Sequence, residues 1–142
     1  MTLRGTLSVV IMLISIIAFG QDELCRSYTD SIKGEVFTNV DIMPEYPGGM
    51  AAMSAHYSRV AYNLGLEAQS FIDSIGVYEV YIQFIVEVDG NLSSRKILNA
   101  ENEELALSVS AALQTMPNWS PGVCNGKIVP VRMTFPITFR RK

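Results

Sequence analysis

The chain of 142 residues holds one histidine, one tryptophan and two cysteines, and these shortages exclude most site chemistries at once. A single histidine, His56, cannot build a His-rich zinc site, and Cys25 and Cys124 lack the close spacing of zinc-ligating pairs. No G-x-S-x-G elbow and no Gly-rich phosphate loop occurs; Gly48-Gly49 is the nearest approach to one. Positive charge is short as well. There are 11 Lys+Arg against 14 Asp+Glu, a net of −3, and no basic run, so nucleic acid is not an expected partner. Internal repeats, low-complexity tracts and Pro-rich spacers are also absent. The one adjacent acidic pair near a helix start, Glu103-Glu104, diverges by about 100° on a helix. That suits a helix dipole better than acid–base work. The residues therefore predict no enzyme, no cofactor and no metal.

One long apolar run is present. Val9 to Phe19 follows Arg4 and leads to Ala18-Phe-Gly20, the three regions of an export signal cut before Gln21. It is short for a membrane span, which needs about 20 apolar residues; an uncleaved inner-membrane anchor is the alternative. Part of the mean hydropathy of +0.23 comes from this run. Loss of residues 1–20 removes Arg4 and takes the net charge from −3 to about −4. The division expected is a signal at 1–20, a short N-terminal segment at 21–35 and one domain at 36–142. In an oxidising compartment Cys25 and Cys124 could pair; two free thiols are the alternative. Leu24 before Cys25 argues against a lipid anchor there.

Periodicity supplies the elements. Residues 21–40 are mixed and polar. In Met43-Pro-Glu-Tyr-Pro-Gly-Gly49 the prolines Pro44 and Pro47 favour extended backbone, and Gly48 and Gly49 let the chain swing into a helix. Met50, Met53, Tyr57, Val60, Ala61 and Leu64 recur at helical spacing. Residues 66–76 fit either a short helical turn or a packed loop. Tyr78, Val80, Ile82, Phe84, Val86 and Val88 then alternate as one face of a strand, and Asp89-Gly90 is a hairpin turn into a weaker strand at 92–98. Asn102 can cap a second helix with Leu105, Val109, Ala112, Leu113 and Met116 as its stripe, and Pro117 ends it. The loop "MPNWSPGVCNGK" (residues 116–127) precedes a last strand over 127–140. These elements predict an α+β fold in which two helices pack on one face of a three-stranded antiparallel sheet.

The last strand carries Pro130 and Pro136. Six residues apart, they turn two missing N–H donors to the same side, which therefore reads as an open edge or a bulge. Prolines there defend an exposed edge against unwanted pairing; the alternative is an edge that receives a guest strand. His56, at the rim of the first helix's stripe, reads as a surface residue. The seven methionines could suggest a soft binding surface, but Met50, Met53 and Met116 fall on core stripes.

Four ordered motifs over about residues 36–140 resemble the C-terminal domain of TonB in its Bacteroidetes envelope form. They are Met43 to Gly49; Phe84, Val86, Asp89 and Gly90; Met116, Pro117, Trp119, Pro121 and Gly122 with Asn125 to Lys127; and Phe135 to Phe139. Leu64-Gly65 stands where the family has Tyr-Pro, and Pro130 where its proline falls earlier. The resemblance implies a periplasmic protein-binding module linked to transport across the outer membrane. Its partner would be a short peptide of an outer-membrane transporter, added as a strand beside Ile128, Pro130, Arg132, Thr134, Pro136 and Thr138. An inner-membrane energy-transducing complex is a further partner it implies. A structural envelope protein of the same fold, without peptide binding, is the alternative. N-terminal sequencing of the exported protein is expected to begin at Gln21; an intact Met1 in the membrane fraction would make the segment an anchor.

Overall fold

Strict alternation over two ten-residue stretches organises the molecule. The computed structural model describes residues 25–141; the expected signal at 1–20 lies outside the described residues. In chain order the elements are β1 (Arg26–Asp30), β2 (Gly34–Asn39), α1 (Gly49–Tyr62), α2 (Leu66–Ile75), β3 (Val77–Val86), β4 (Leu92–Ile97), α3 (Glu103–Gln114), β5 (Gly122–Cys124), β6 (Lys127–Val129) and β7 (Val131–Arg140). β3 and β7 pair antiparallel without interruption from Val77–Arg140 to Val86–Val131. Around them the main sheet runs β1-β2-β7-β3-β4, and β5-β6 forms a separate ribbon.

Because side chains alternate across a strand, the even residues of β3 and the odd residues of β7 share one face. Val80, Ile82, Phe84, Val86, Val131, Met133, Ile137 and Phe139 are buried there, with Met53 and Tyr57 of α1, Ala68 and Ile72 of α2, and Leu105, Val109 and Leu113 of α3. Each large apolar side chain removed from water contributes about 1.5–3 kcal/mol, so the matched stripes dictate which face the helices cover. The helix ends show how the layers lock. Asn102 Oδ1 accepts from Leu105 N at 2.9 Å and caps α3. Glu104, in the first turn of that helix, turns away and accepts from Ala68 N at 2.8 Å, so it completes the first turn of α2. His56, expected to be partly exposed at the rim of the stripe, is half-buried and lies 2.9 Å from the Ala112 carbonyl, bridging α1 to α3.

The class is α+β, as the pattern predicts, but three strands and two helices become a five-stranded sheet, a two-stranded ribbon and three helices. Each difference has a local cause. β1 is largely exposed and polar, so no alternation marks it. Its hairpin is made by Asp30, whose carboxylate accepts from Ile32 N and Lys33 N at 2.9 Å, and by Gly34 at φ 81°. Those N–H groups, Lys33 first, hold the Asp30 carboxyl below its ordinary pKa. Residues 66–76 choose the helical option, and Gly76 at φ 83° ends it. The last strand is broken at Pro130, where β6 leaves off to pair with β5.

The Trp119 loop ties these parts together. Residues 42 and 45 exchange paired backbone bonds with 123 and 120 at 2.9–3.1 Å, and Trp119 N donates to Gly90 O at 2.9 Å. Gly90 sits at φ 84°, and a Cβ there would run into the Trp119 carbonyl, so no other residue fits this turn without moving the loop. Cys25 and Cys124 are joined by a disulfide with their Cα atoms 6.0 Å apart, which anchors the start of β1 to the ribbon. Closing a 99-residue separation is worth up to about 4.7 kcal/mol in the chain-entropy picture. Replacing both cysteines by serine is expected to lower unfolding free energy by about 2–5 kcal/mol, measured by denaturant titration, with the unreduced wild type as reference.

Candidate functional site: the outer edge of the last strand

Backbone parity on β7 follows from two hydrogen bonds elsewhere. Tyr81 turns its backbone away from β7: its N–H donates to Asn99 Oδ1 at 2.7 Å, and its carbonyl accepts from Leu98 N at 2.8 Å. Its partner Pro136 therefore faces away from β3 too, since opposed residues in an antiparallel ladder either both bond across it or both turn away. Arg141 N, of the other parity, donates to Gly76 O at 2.8 Å. Arg132, Thr134, Pro136, Thr138 and Arg140 thus turn their backbone polar groups outward.

β2 covers only the beginning of that outer side. It runs parallel to β7 and meets it at Phe37 and Val131, with Phe37 N donating to Pro130 O at 2.9 Å. From Thr134 to Arg140 no strand pairs with the outer side among the described residues. The expected docking residues are consequently divided. Ile128 lies in β6, already paired with Val123. Pro130 is the corner and accepts from β2, and Arg132 stands next to the pair with β2. Thr134, Pro136 and Thr138 are exposed and form the open part.

The open part is walled by α1. Met50, Ala51, Met53, Ser54, Tyr57 and Ser58 face Phe135 to Phe139 across a groove of about 530 Å³. None of these residues carries a formal charge, so the groove suits an extended backbone with small or apolar side chains. Outward N–H groups stand at Thr134, Thr138 and Arg140, and outward carbonyls at these three and at Pro136. The α1 wall has no local marker in sequence, because Met50, Met53 and Tyr57 read as the helix's own core stripe and Ala51, Ser54 and Ser58 sit beside it.

The remaining motif residues are structural in position. Gly48 and Gly49 take φ 84° and 78° where α1 begins, and Pro44 is buried while Pro47 is exposed. Asp89 accepts from Asn91 N at 3.0 Å and so shapes the turn. Pro117 and Pro121 flank Trp119, which is 4% exposed. Gly122 starts β5 and lies against Val131, Pro44 and Val40, leaving no room for a side chain. The indole of Trp119 packs on Tyr46, Phe84 and Phe135 with ring centroids 5.7, 5.1 and 5.8 Å away. Through Phe135 it backs the groove without lining it. Cys25, Asp41 and Cys124 bring their ligand atoms within 4.8 Å of one another, but the two sulfurs are bonded together.

No helix among the described residues is long and apolar enough to cross a membrane. Comparison with family models, with curated proteins and with solved structures gives no match.

Tyr57, at the groove floor, has its phenol pushed well above its ordinary pKa by burial, with Tyr46 adding to the effect. Its hydroxyl donates to Met116 Sδ at 3.8 Å. A raised folded-state pKa favours the folded protein below the unfolded value and disfavours it above. Stability is therefore expected to fall above about pH 10. Tyr57→Phe is expected to remove that part of the alkaline loss while costing about 1 kcal/mol or less at neutral pH, as read from unfolding curves across pH.

Proposed function

We propose that this chain is a protein-binding module that captures an extended peptide by adding it as a strand to β7 between Thr134 and Arg140. The observation that carries this reading is the free stretch of β7 edge beside an uncharged groove under α1. Strand addition draws affinity from main-chain hydrogen bonds and specificity from neighbouring side-chain contacts, and the groove offers both. The four ordered motifs resembling the TonB C-terminal domain support a periplasmic setting and a transporter-derived peptide as guest. They support a link to an inner-membrane energy-transducing complex in the same way. Nothing in the groove suggests bond-making chemistry, so binding alone is the activity proposed.

A second reading has its own observation. β2 occupies the first part of the edge, and the Cys25–Cys124 disulfide pins the hairpin that supplies it. An envelope protein that uses its edge only for self-closure would look the same over residues 130–133. It would not need the vacant stretch beyond.

Titration of the labelled protein with uncharged seven-residue peptides taken from the periplasmic segments of outer-membrane transporters separates the two. Shifts are expected at Thr134 to Arg140 and along the groove face of α1. Thr138→Pro removes one outward donor without touching the β3 ladder, and affinity is expected to drop about fivefold, the value of one net hydrogen bond. Pro136→Thr supplies a missing donor and is expected to tighten binding by a similar factor. Val131→Pro is not a fair probe, because the Val131 N–H belongs to the inner ladder and its loss unfolds the strand. Unchanged affinity in both outer-edge variants would overturn strand addition here.

A further inference from the structure

The opposite face of the sheet holds a second cavity, separate from the groove beside α1. Even residues of β7 point their side chains away from the helices, and the β1–β2 hairpin folds against the first of them, Arg132. Lys33 in its turn reaches Glu87 at 2.9 Å, and Tyr28 of β1 lies under the Arg132 guanidinium, 4.3 Å from carbon to ring centroid. This cover explains why Ile85 is only 2% exposed although it points away from the helix-side core. Between hairpin and sheet remains a cavity of about 370 Å³, and Arg95, Lys96 and Arg132 all line it.

Regular strand geometry could not bring these three together. Arg95 and Lys96 are adjacent, and an unbroken strand sends neighbours to opposite faces. β4 is not unbroken. Gln83 pairs with Lys96 and Ile85 with Ser93, so Ser94 and Arg95 both lie opposite Phe84. Ser94 takes φ 48° to make this bulge, a conformation uncommon for serine. Bulges recur where a strand must re-aim a side chain. Here the result is that Ser94, Arg95 and Lys96 line one cavity.

The chain's own acids offset these charges only in part. The sole acidic residue of the lining, Asp30, accepts through one carboxylate oxygen from the N–H groups of Ile32 and Lys33 and feels the charge of Lys96, so one carboxylate faces three cations. The ion pair at the rim uses Lys33 and Glu87 instead. Three cations against one carboxylate leave the cavity with an excess of positive charge, in a chain whose net charge is −3, and a bound anion would relieve their mutual repulsion. Arg132, with its guanidinium carbon 4.3 Å over the Tyr28 ring, belongs to the residue type whose planar fork suits bidentate contact with a carboxylate or phosphate.

We propose that this cavity binds a compact, multiply charged oxyanion, a phosphate or a dicarboxylate, through Arg132, Arg95 and Lys96. The two chemistries share the same recognition and are separated by the probe. The full-length oxidised protein, isotope-labelled, is titrated in low salt with inorganic phosphate and, separately, with succinate. Saturable amide shifts are expected at Ser94 to Lys96 and at Arg132, together with weakening as salt is raised. The tighter of the two probes identifies the group preferred.

Arg132→Gln is expected to lower affinity about tenfold or more, whereas Arg59→Gln, exposed on α1, should leave it unchanged. If Arg132→Gln disturbs the hairpin through Tyr28, as judged by its thermal midpoint, Lys96→Gln takes its place, with a loss of about threefold or more expected. Shifts scattered over every Lys and Arg, or equal affinity in the cavity variant and Arg59→Gln, would overturn the site.

Discussion

The ten-residue antiparallel ladder between β3 and β7 is the constraint on which everything else rests. Backbone groups and side chains on a strand both alternate with period two. Fixing Val77 opposite Arg140 and Val86 opposite Val131 therefore settles two things together. Odd residues of β7 send side chains into the core and backbone bonds toward β3. Even residues send side chains to the helix-free face and backbone groups to the outer edge. A slip of one residue would exchange these roles and expose Val131, Met133, Ile137 and Phe139 at once. Burial of those four and of their β3 partners is what makes the register unique. The open edge beside α1 and the cationic cavity are then two faces of the same arithmetic: one presents the outward backbone of even residues, the other the side chain of Arg132.

How far the sequence reveals this depends on whether the signal is local. The β3 and β7 stripes, the Asp89-Gly90 turn and the Asn102 cap are visible because each is written within a few consecutive residues. Pro130 and Pro136 likewise announce by parity alone a side of the strand that lacks donors. β1 and β2 stay hidden, since a polar, half-exposed hairpin has little alternation and owes its place to pairing with a strand about 95 residues away. Glu104 reads as a residue serving its own helix, and only the packing of α2 against α3 reveals that it caps the neighbour. The cationic cavity is invisible for the same reason. Arg95, Lys96 and Arg132 form no run, and a bulge together with a long-range register brings them to one place. The α1 wall of the groove is masked differently, by lying next to a core stripe of the same helix.

The Trp119 loop shows how one bulky residue organises several short connections. Its indole N–H is buried with no acceptor among the described residues, which costs about 1–3 kcal/mol. Burying 150–250 Å² of ring returns roughly 4–6 kcal/mol, so the position favours tryptophan in spite of the orphaned donor. Around it the hairpin turn at Gly90, the entry segment at Glu45 and the ribbon bearing Cys124 meet through backbone bonds and a disulfide. The helices and the sheet are thus held at their far ends as well as through their shared core.

The parallel pairing of β2 at Phe37 also sets a boundary. A strand lodged beyond it can extend only from Thr134 to Arg140 before the paired row begins, a span of about seven residues, or ~23 Å at strand rise. For the proposed guest the hairpin would be a physical stop, a ruler fixed in place by the cross-link at its root. A visitor with a longer extended stretch would have to leave the row there, turning its remaining residues out into solvent.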